Sequence, residues 1–193
     1  MHVFANIDDS ALIINDFLPV DLFKKIVNFK YEAAFDSHSS SDWIYSLYRD
    51  NEKNVTMKEI KFSKNLGSVE KGKIQTTDPI FEDFLKTIIE CPFIPYQKNS
   101  SLAFLYYEYD KFSGINWHND GDISLNYSFY IHDEWNENWG GETVIDTGRG
   151  LPLSVSPNPN SLLTIKQGIR HKVNCVAGPK KRKVLQVRGI FYD

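Results

Sequence analysis

The 193-residue sequence holds only two cysteines, no long apolar run and no excess of positive charge, and each shortage removes a class of explanation. Cys91 and Cys175 allow at most one bridge, and without an export signal both are expected to be free thiols packed as small hydrophobes in a reducing compartment. No stretch approaches the roughly 18 consecutive apolar residues needed to cross a bilayer, so no membrane span is expected. The opening MHVFANIDDSALIINDF places acids where a secretory leader needs a basic segment and an apolar core, so it reads as mature sequence in a cytoplasmic protein. A net charge of -3 and a pI near 6.0 give no overall attraction to phosphate backbones, which disfavours nucleic acid as a partner. What is present, 41% hydrophobic and 24% charged residues, is the composition of a soluble globular protein, and the length suits one domain over residues 1–193.

Two segments carry helix signals. Around Pro19, the apolar residues Leu22, Phe23, Ile26 and Val27 recur at helical spacing and predict an amphipathic helix packed on a sheet. Asp78-Pro79 opens a second helix, in which Ile80, Phe81, Phe84, Leu85, Ile88 and Ile89 repeat at three and four residues until Cys91-Pro92 ends it. Between them, residues 36–78 are polar and broken, holding Trp43, Tyr45 and Tyr48, and read as a long surface segment or lid. From residue 101 onward the pattern changes to short runs rich in Tyr, Phe, Val, Ile and Leu separated by Gly, Pro and Asn. Strands are predicted near 102–109, 115–118, 124–131, 142–146, 161–166, 171–176 and 182–192. Helices followed by many strands predict a mainly β (α+β) fold, a sandwich or jelly roll braced by N-terminal helices.

In Ile115-Asn116-Trp117-His118-Asn119-Asp120-Gly121, a His and an Asp two apart at the end of an apolar strand aim both side chains at one point, because alternate strand residues share a face. An imidazole and a carboxylate are two thirds of the 2-His-1-carboxylate triad, which suits Fe(II) by filling one octahedral face and leaving the opposite one open. A third ligand has to be a distant His. Of the five histidines, His171 begins a late strand and is well placed, whereas His132 beside Asp133 and Glu134 is the rival, read as a strand-end surface residue. The tripeptide alone carries little weight; its context raises it.

Eleven residues beyond His171 stands Arg182, in Lys180-Lys181-Arg182-Lys183. A guanidinium at the start of a strand near the ligand strand can form a bidentate salt bridge with a carboxylate inside the barrel. 2-Oxoglutarate has the matching shape, with a metal-chelating 2-oxo acid at one end and a carboxylate at the other. The neighbouring lysines read as a solvated basic turn.

These residues resemble the 2-oxoglutarate and Fe(II) dioxygenases of the prolyl 4-hydroxylase type. The resemblance runs in order through Asn15-Asp16-Phe17-Leu18-Pro19, the approach from Tyr109 to His118, Tyr130-Ile131-His132-Asp133-Glu134-Trp135, Trp139-Gly140-Gly141-Glu142-Thr143 and Pro157-Asn158-Pro159-Asn160-Ser161-Leu162-Leu163, and ends on His171-Lys172-Val173 and Arg182. It is close over residues 102–192, looser before that, and absent over 36–78. It implies a double-stranded β-helix (cupin-like) with N-terminal helices on the major sheet, Fe(II) held by His118, Asp120 and His171, and 2-oxoglutarate held by Arg182. Tyr130 falls beside the same co-substrate carboxylate and Tyr109 near the metal, although Tyr107 shares the strand face of Tyr109 and the sequence does not rank the two. Three departures bear on co-substrate geometry: His132 stands where the family has Asn, Asn160 where Gly is common, and the interval from His171 to Arg182 is longer than usual. Gly140 and Gly141 are expected to serve the backbone.

The implied reaction consumes O₂ and 2-oxoglutarate, releases succinate and CO₂, and hydroxylates a C–H bond, with ascorbate as a supporting reductant. Because Asp120 is present, hydroxylation is favoured over the halogenation run by relatives with a small residue there. A peptidyl proline is the family-level substrate, so a peptide or protein partner is expected, with a free amino acid or small metabolite as the alternative. Arg182 and Arg188 also form the R-x5-R pair of AlkB-type nucleic-acid demethylases, but the Trp-Gly-Gly-Glu turn and the acidic balance favour the prolyl-hydroxylase type. A jelly-roll binding module without catalysis is the remaining rival. Trp43, Tyr45, Tyr48, Arg49 and Arg149 are candidates for a substrate rim.

Overall fold

A computed structural model describes residues 1–7, 10–29, 36–38, 60–62, 67–70, 73–76, 78–94, 100–121, 123 and 125–191. The candidate rim residues Trp43, Tyr45, Tyr48 and Arg49 lie outside this set. Among the described residues, no helix is long and apolar enough to cross a membrane.

The chain opens with an antiparallel hairpin, β1 (His2–Ile7) and β2 (Ala11–Asn15), that the sequence did not announce. Helix α1 (Val20–Val27) follows with Pro19 as its N-cap, where the absent N–H costs nothing. The segment read as irregular contains four short strands, β3 (Asp36–His38), β4 (Ile60–Phe62), β5 (Gly67–Glu70) and β6 (Lys73–Thr76). Helix α2 (Pro79–Glu90) begins where expected: the Asp78 side chain accepts from the Ile80 N–H at 2.9 Å, supplying a partner for an N–H that the first turn leaves unbonded. It stops before Cys91, whose position ahead of Pro92 favours the extended conformation it adopts.

The second half is β7 (Ser100–Tyr109), β8 (Ile115–His118), β9 (Leu125–Tyr130), β10 (Thr143–Ile145), β11 (Leu153–Val155), β12 (Leu162–Lys166), β13 (His171–Val173) and β14 (Arg182–Phe191). A major sheet runs β1-β2-β12-β9-β14-β7-β4-β3, with β5 also on β7 and β6 on β5, and a four-stranded minor sheet runs β11-β10-β13-β8. All named pairings are antiparallel.

Strand alternation sorts the apolar residues into two layers. On the outer face of the major sheet, Phe104, Tyr127, Phe129, Leu185 and Val187 pack against Ile26 of α1 and Phe81, Phe84, Leu85 and Ile88 of α2. Phe84 lies 4.9 Å from Phe129 and 5.0 Å from Phe104 between ring centroids, within the range for favourable aromatic contact. On the inner face, Tyr107, Tyr109, Tyr130, Leu163, Ile165 and Val184 meet Ile115, Ile145, Val155 and Val173 of the minor sheet. The fold is therefore mainly β, with two facing antiparallel sheets and both helices on the outside of the larger, as expected. Cys91 and Cys175 are free and buried.

Candidate metal centre and its cavity

β8 and β13 are adjacent in the minor sheet, and their register sets His118 directly opposite His171. The two imidazoles lie 4.3 Å apart between centroids. Asp120, just past the end of β8, turns back toward them: its Oδ2 is 3.5 Å from His171 Nε2 and its Oδ1 is 3.9 Å from His118 Nε2. One donor atom from each of the three residues falls within 4.8 Å of the others, a spacing that fits a shared cation.

Each ring is oriented by the carbonyl two residues before it in the chain. His118 Nδ1 is 2.7 Å from the Asn116 carbonyl oxygen and His171 Nδ1 is 3.0 Å from that of Ile169. A carbonyl only accepts, so each Nδ1 carries the proton and each Nε2 presents a lone pair toward Asp120, the tautomer a metal ligand requires. Burial, then the positive charge that His118 can acquire, holds His171 below the ordinary histidine pKa, which also favours the neutral ring. The donor set and its orientation fit Fe(II).

The cavity that contains these three residues continues to Arg182 and is lined on the way by Tyr107, Tyr109, Thr143 and Val184. Arg182 opens β14 opposite Tyr109 on β7 and is 2% exposed. Its Nη2 donates to Thr143 Oγ1 at 3.0 Å and to the Tyr130 hydroxyl at 3.5 Å, and those two oxygens are 3.1 Å apart. The guanidinium carbon stands 4.7 Å from the Tyr109 ring centroid and 5.1 Å from that of Tyr130, so both tyrosines offer a π face to the cation. No carboxylate of the described residues pairs with it, and its Nε has no hydrogen-bond partner. A buried charge in that state is costly unless a ligand completes it. A dicarboxylate that chelates the metal at one end and meets Arg182 at the other fits these groups.

The glycines of the Trp-Gly-Gly-Glu turn make this arrangement possible. Gly141 has φ +72°, and a Cβ there would stand 3.2 Å from Arg182 Cδ and 3.1 Å from Trp135 Cζ2. At Gly140, φ is +68° and a Cβ would meet the Cys175 carbonyl oxygen at 2.3 Å. Both sites thus demand the left-handed backbone and the missing side chain. Asn160, where a Gly resembles the family better, also adopts positive φ (55°), and its side chain is bonded to the Leu18 N–H and carbonyl at 2.9 Å each. It keeps the backbone shape and pins the lead-in to α1.

The structure brings together all six predicted site residues and resolves the two tyrosines: both line the cavity, Tyr109 beside Arg182 and Tyr107 near Arg188, whose guanidinium carbon is 5.9 Å from the Tyr107 ring. His132, expected at the surface, is buried, and it lies outside the lining of the cavity that holds the triad. Its Nε2–H donates to the Pro157 carbonyl at 2.5 Å while Nδ1 accepts from the Lys183 N–H at 3.3 Å. The lysines beside Arg182 are surface residues as read, Lys180 paired with Glu134 at 2.7 Å and Lys181 with Asp110 at 3.1 Å. Thr143, Asn126 and Gln186 also line the cavity and were not singled out in the sequence; Asn126 and Gln186 each stand between apolar neighbours on a core strand, a pattern too common to mark a site, and Thr143 lacks even that.

No protein-family model matches this chain, and no curated protein matches it in sequence. Solved structures do match. One is a prolyl 4-hydroxylase from Pseudomonas putida, 14% identical, with a TM-score of 0.67 over 96% of this chain and 97% of that one. Another is a 2OG-Fe(II) oxygenase family oxidoreductase from Burkholderia pseudomallei, 12% identical, with a TM-score of 0.69 over 96% and 87% of the two chains. A third is a prolyl hydroxylase from Trichoplax adhaerens, in complex with a hypoxia inducible factor oxygen degradation domain peptide fragment; it is 12% identical, with a TM-score of 0.63 over 95% and 84%. This chain has the double-stranded β-helix fold of those oxygenases.

Proposed function

We propose that this protein is a 2-oxoglutarate- and Fe(II)-dependent dioxygenase that hydroxylates a C–H bond, with a prolyl residue of a peptide or protein as its substrate. The observation that carries the reading is Arg182: a buried guanidinium with no carboxylate partner among the described residues, in the same cavity as a His-Asp-His cluster of metal-binding geometry. A non-catalytic module has no use for either feature, and their pairing suits a co-substrate with a carboxylate at each end.

Each residue then has a task. His118, Asp120 and His171 would hold Fe(II) on one face, leaving positions for the 2-oxo acid and for O₂. Arg182, with Thr143 and the Tyr130 hydroxyl, would fix the distal carboxylate by charge-assisted hydrogen bonds. Val184, Tyr107 and Tyr109 would limit water around the bound co-substrate. Fe(II) with 2-oxoglutarate and O₂ supplies the oxidant for an unactivated C–H bond, and succinate and CO₂ leave as co-products. The peptidyl choice draws support from the fold shared with prolyl hydroxylases, one of them solved with a peptide. A free amino acid is the alternative.

The test is succinate formation by the purified protein with Fe(II) and 2-oxoglutarate, followed by mass spectrometry on a proline-rich peptide panel beside free proline and lysine. Succinate release with a +16 Da product on peptides is expected. Product on free amino acids alone replaces the peptidyl reading, and absence of both metal and co-substrate binding removes the enzyme.

A further inference from the structure

Three side chains link the wall of the major sheet to Asp120. Arg188 Nε donates to Gln186 Oε1 at 3.0 Å, Gln186 Nε2 donates to Asn126 Oδ1 at 2.7 Å, and Asn126 Nδ2 donates to Asp120 Oδ2. The direction is fixed from both ends: a guanidinium only donates and a carboxylate only accepts, so each amide between them has a single orientation that satisfies the series. Backbone register builds the link, since Arg188 on β14 lies opposite Asn126 on β9, and Gln186 shares the cavity-facing side of β14 with Arg188 and Arg182. The major sheet thus reaches across the cavity to hold the carboxylate that the minor sheet presents.

We propose that Asn126, oriented by Gln186 and Arg188, is a positioning residue that holds Asp120 as a one-oxygen metal ligand. The inference rests on the reading of His118, Asp120 and His171 as the metal site. The amide bond occupies a lone pair of Oδ2 and fixes the tilt of the carboxylate, which favours coordination through Oδ1, 3.9 Å from His118 Nε2. Asp120 would then take one position on a bound metal rather than two, leaving room for a chelating 2-oxo acid and O₂. Partners of this kind that act through a ligand typically change metal affinity by about 10- to 100-fold.

The test uses Mn(II) as the probe, with its affinity measured from the electron paramagnetic resonance of the free ion and folding followed by circular dichroism. Asn126→Ala is expected to weaken Mn(II) binding by about 10- to 100-fold. Gln186→Glu is the sharper variant. A glutamate accepts from Arg188 but cannot donate to Asn126, so the amide turns its NH₂ to Glu and its carbonyl to Asp120. Weakening by about tenfold is expected, although the added negative charge alone would tighten a cation. In the Asn126→Ala background the same change should weaken nothing further. Mn(II) affinity within twofold of wild type in folded Asn126→Ala overturns the proposal. So does unchanged or tighter binding in Gln186→Glu, which carries the test if Asn126→Ala does not fold, and so does equal weakening in both backgrounds. If the wild type binds no Mn(II), the metal-site reading falls as well; if only the variants behave like wild type, the positioning role alone falls.

Discussion

Arg182 is held in the fold at a thermodynamic disadvantage, because its guanidinium has hydroxyls and π faces around it but, among the described residues, no carboxylate. Replacing it with an apolar side chain of similar reach removes an uncompensated buried charge. Arg182→Met is therefore expected to stabilise the ligand-free protein by on the order of 1 kcal/mol, as measured by urea unfolding, while raising the 2-oxoglutarate requirement at least tenfold. An unchanged requirement would move the co-substrate site to Arg188 or a lysine. Asp120 has the opposite character. Asp120→Ala removes a donor atom from the cluster, and Mn(II) affinity should fall more than about a hundredfold with hydroxylation lost. Lys181→Ala, at a 43% exposed side chain paired with Glu108 and Asp110, should leave activity near wild type. The candidate triad and Arg182 could be named from the sequence because of their context: His118 and Asp120 two apart carry little weight alone, and the ordered series that adds His171 and Arg182 singles them out. Thr143, Asn126 and Gln186 could not, since Thr, Asn and Gln serve so many ordinary roles that only their contacts in three dimensions give them meaning.

At the scale of elements, the long strands and both helices read correctly because each shows one period. The strands β7, β9 and β14 lie within two residues of their expected ranges, and α2 starts and stops at its Asp-Pro and Cys-Pro signals. β2 escaped for a physical reason. Ala11 and Ile13 pack into the cavity layer and Ile14 into the helix layer, so both faces are buried and no alternation shows. His132 links elements: it joins the end of β9 to the Pro157 carbonyl and to the Lys183 N–H at the start of β14, and burial pushes its pKa down to about 4. The native ring stays neutral where an unfolded histidine would take a proton. Stability from this site is fully present above about pH 6.5 and declines as pH falls toward 4, by on the order of 3 kcal/mol. His132→Asn keeps a donor and an acceptor but cannot titrate, so unfolding free energies measured from pH 7 to pH 4 should fall less steeply than in wild type; equal slopes would refute the assignment. At the turn before β10, Gly141→Ala forces a side chain into left-handed backbone and against Arg182. A loss of about 1–3 kcal/mol and a higher 2-oxoglutarate requirement are expected together, and either one without the other would separate the strain from the displacement of Arg182.

For the molecule as a whole, the two sheets divide the proposed work. His118 and His171 sit on the paired strands β8 and β13 of the minor sheet, with Asp120 just beyond, while Arg182 and Tyr130 belong to the major sheet. A co-substrate chelating the metal at one end and bound by Arg182 at the other would clasp the two sheets together, and neither ligand alone can do so. Its contribution to folding should therefore depend on the metal. Melting temperatures taken without oxygen are expected to rise modestly with Mn(II), very little with 2-oxoglutarate alone, and by more than the sum with both; at a hundred times the dissociation constant the co-substrate contributes about 2.7 kcal/mol. In Arg182→Met the Mn(II) shift should persist and the further shift from 2-oxoglutarate should vanish, because only the major-sheet anchor is lost. An equal 2-oxoglutarate shift with and without Mn(II) would mean that the dicarboxylate binds elsewhere, and that the two sheets are held without it, by packing among Tyr107, Tyr130, Ile145 and Val173 and by the bonds of Arg182 and Tyr130 to Thr143 and of Asn126 to Asp120.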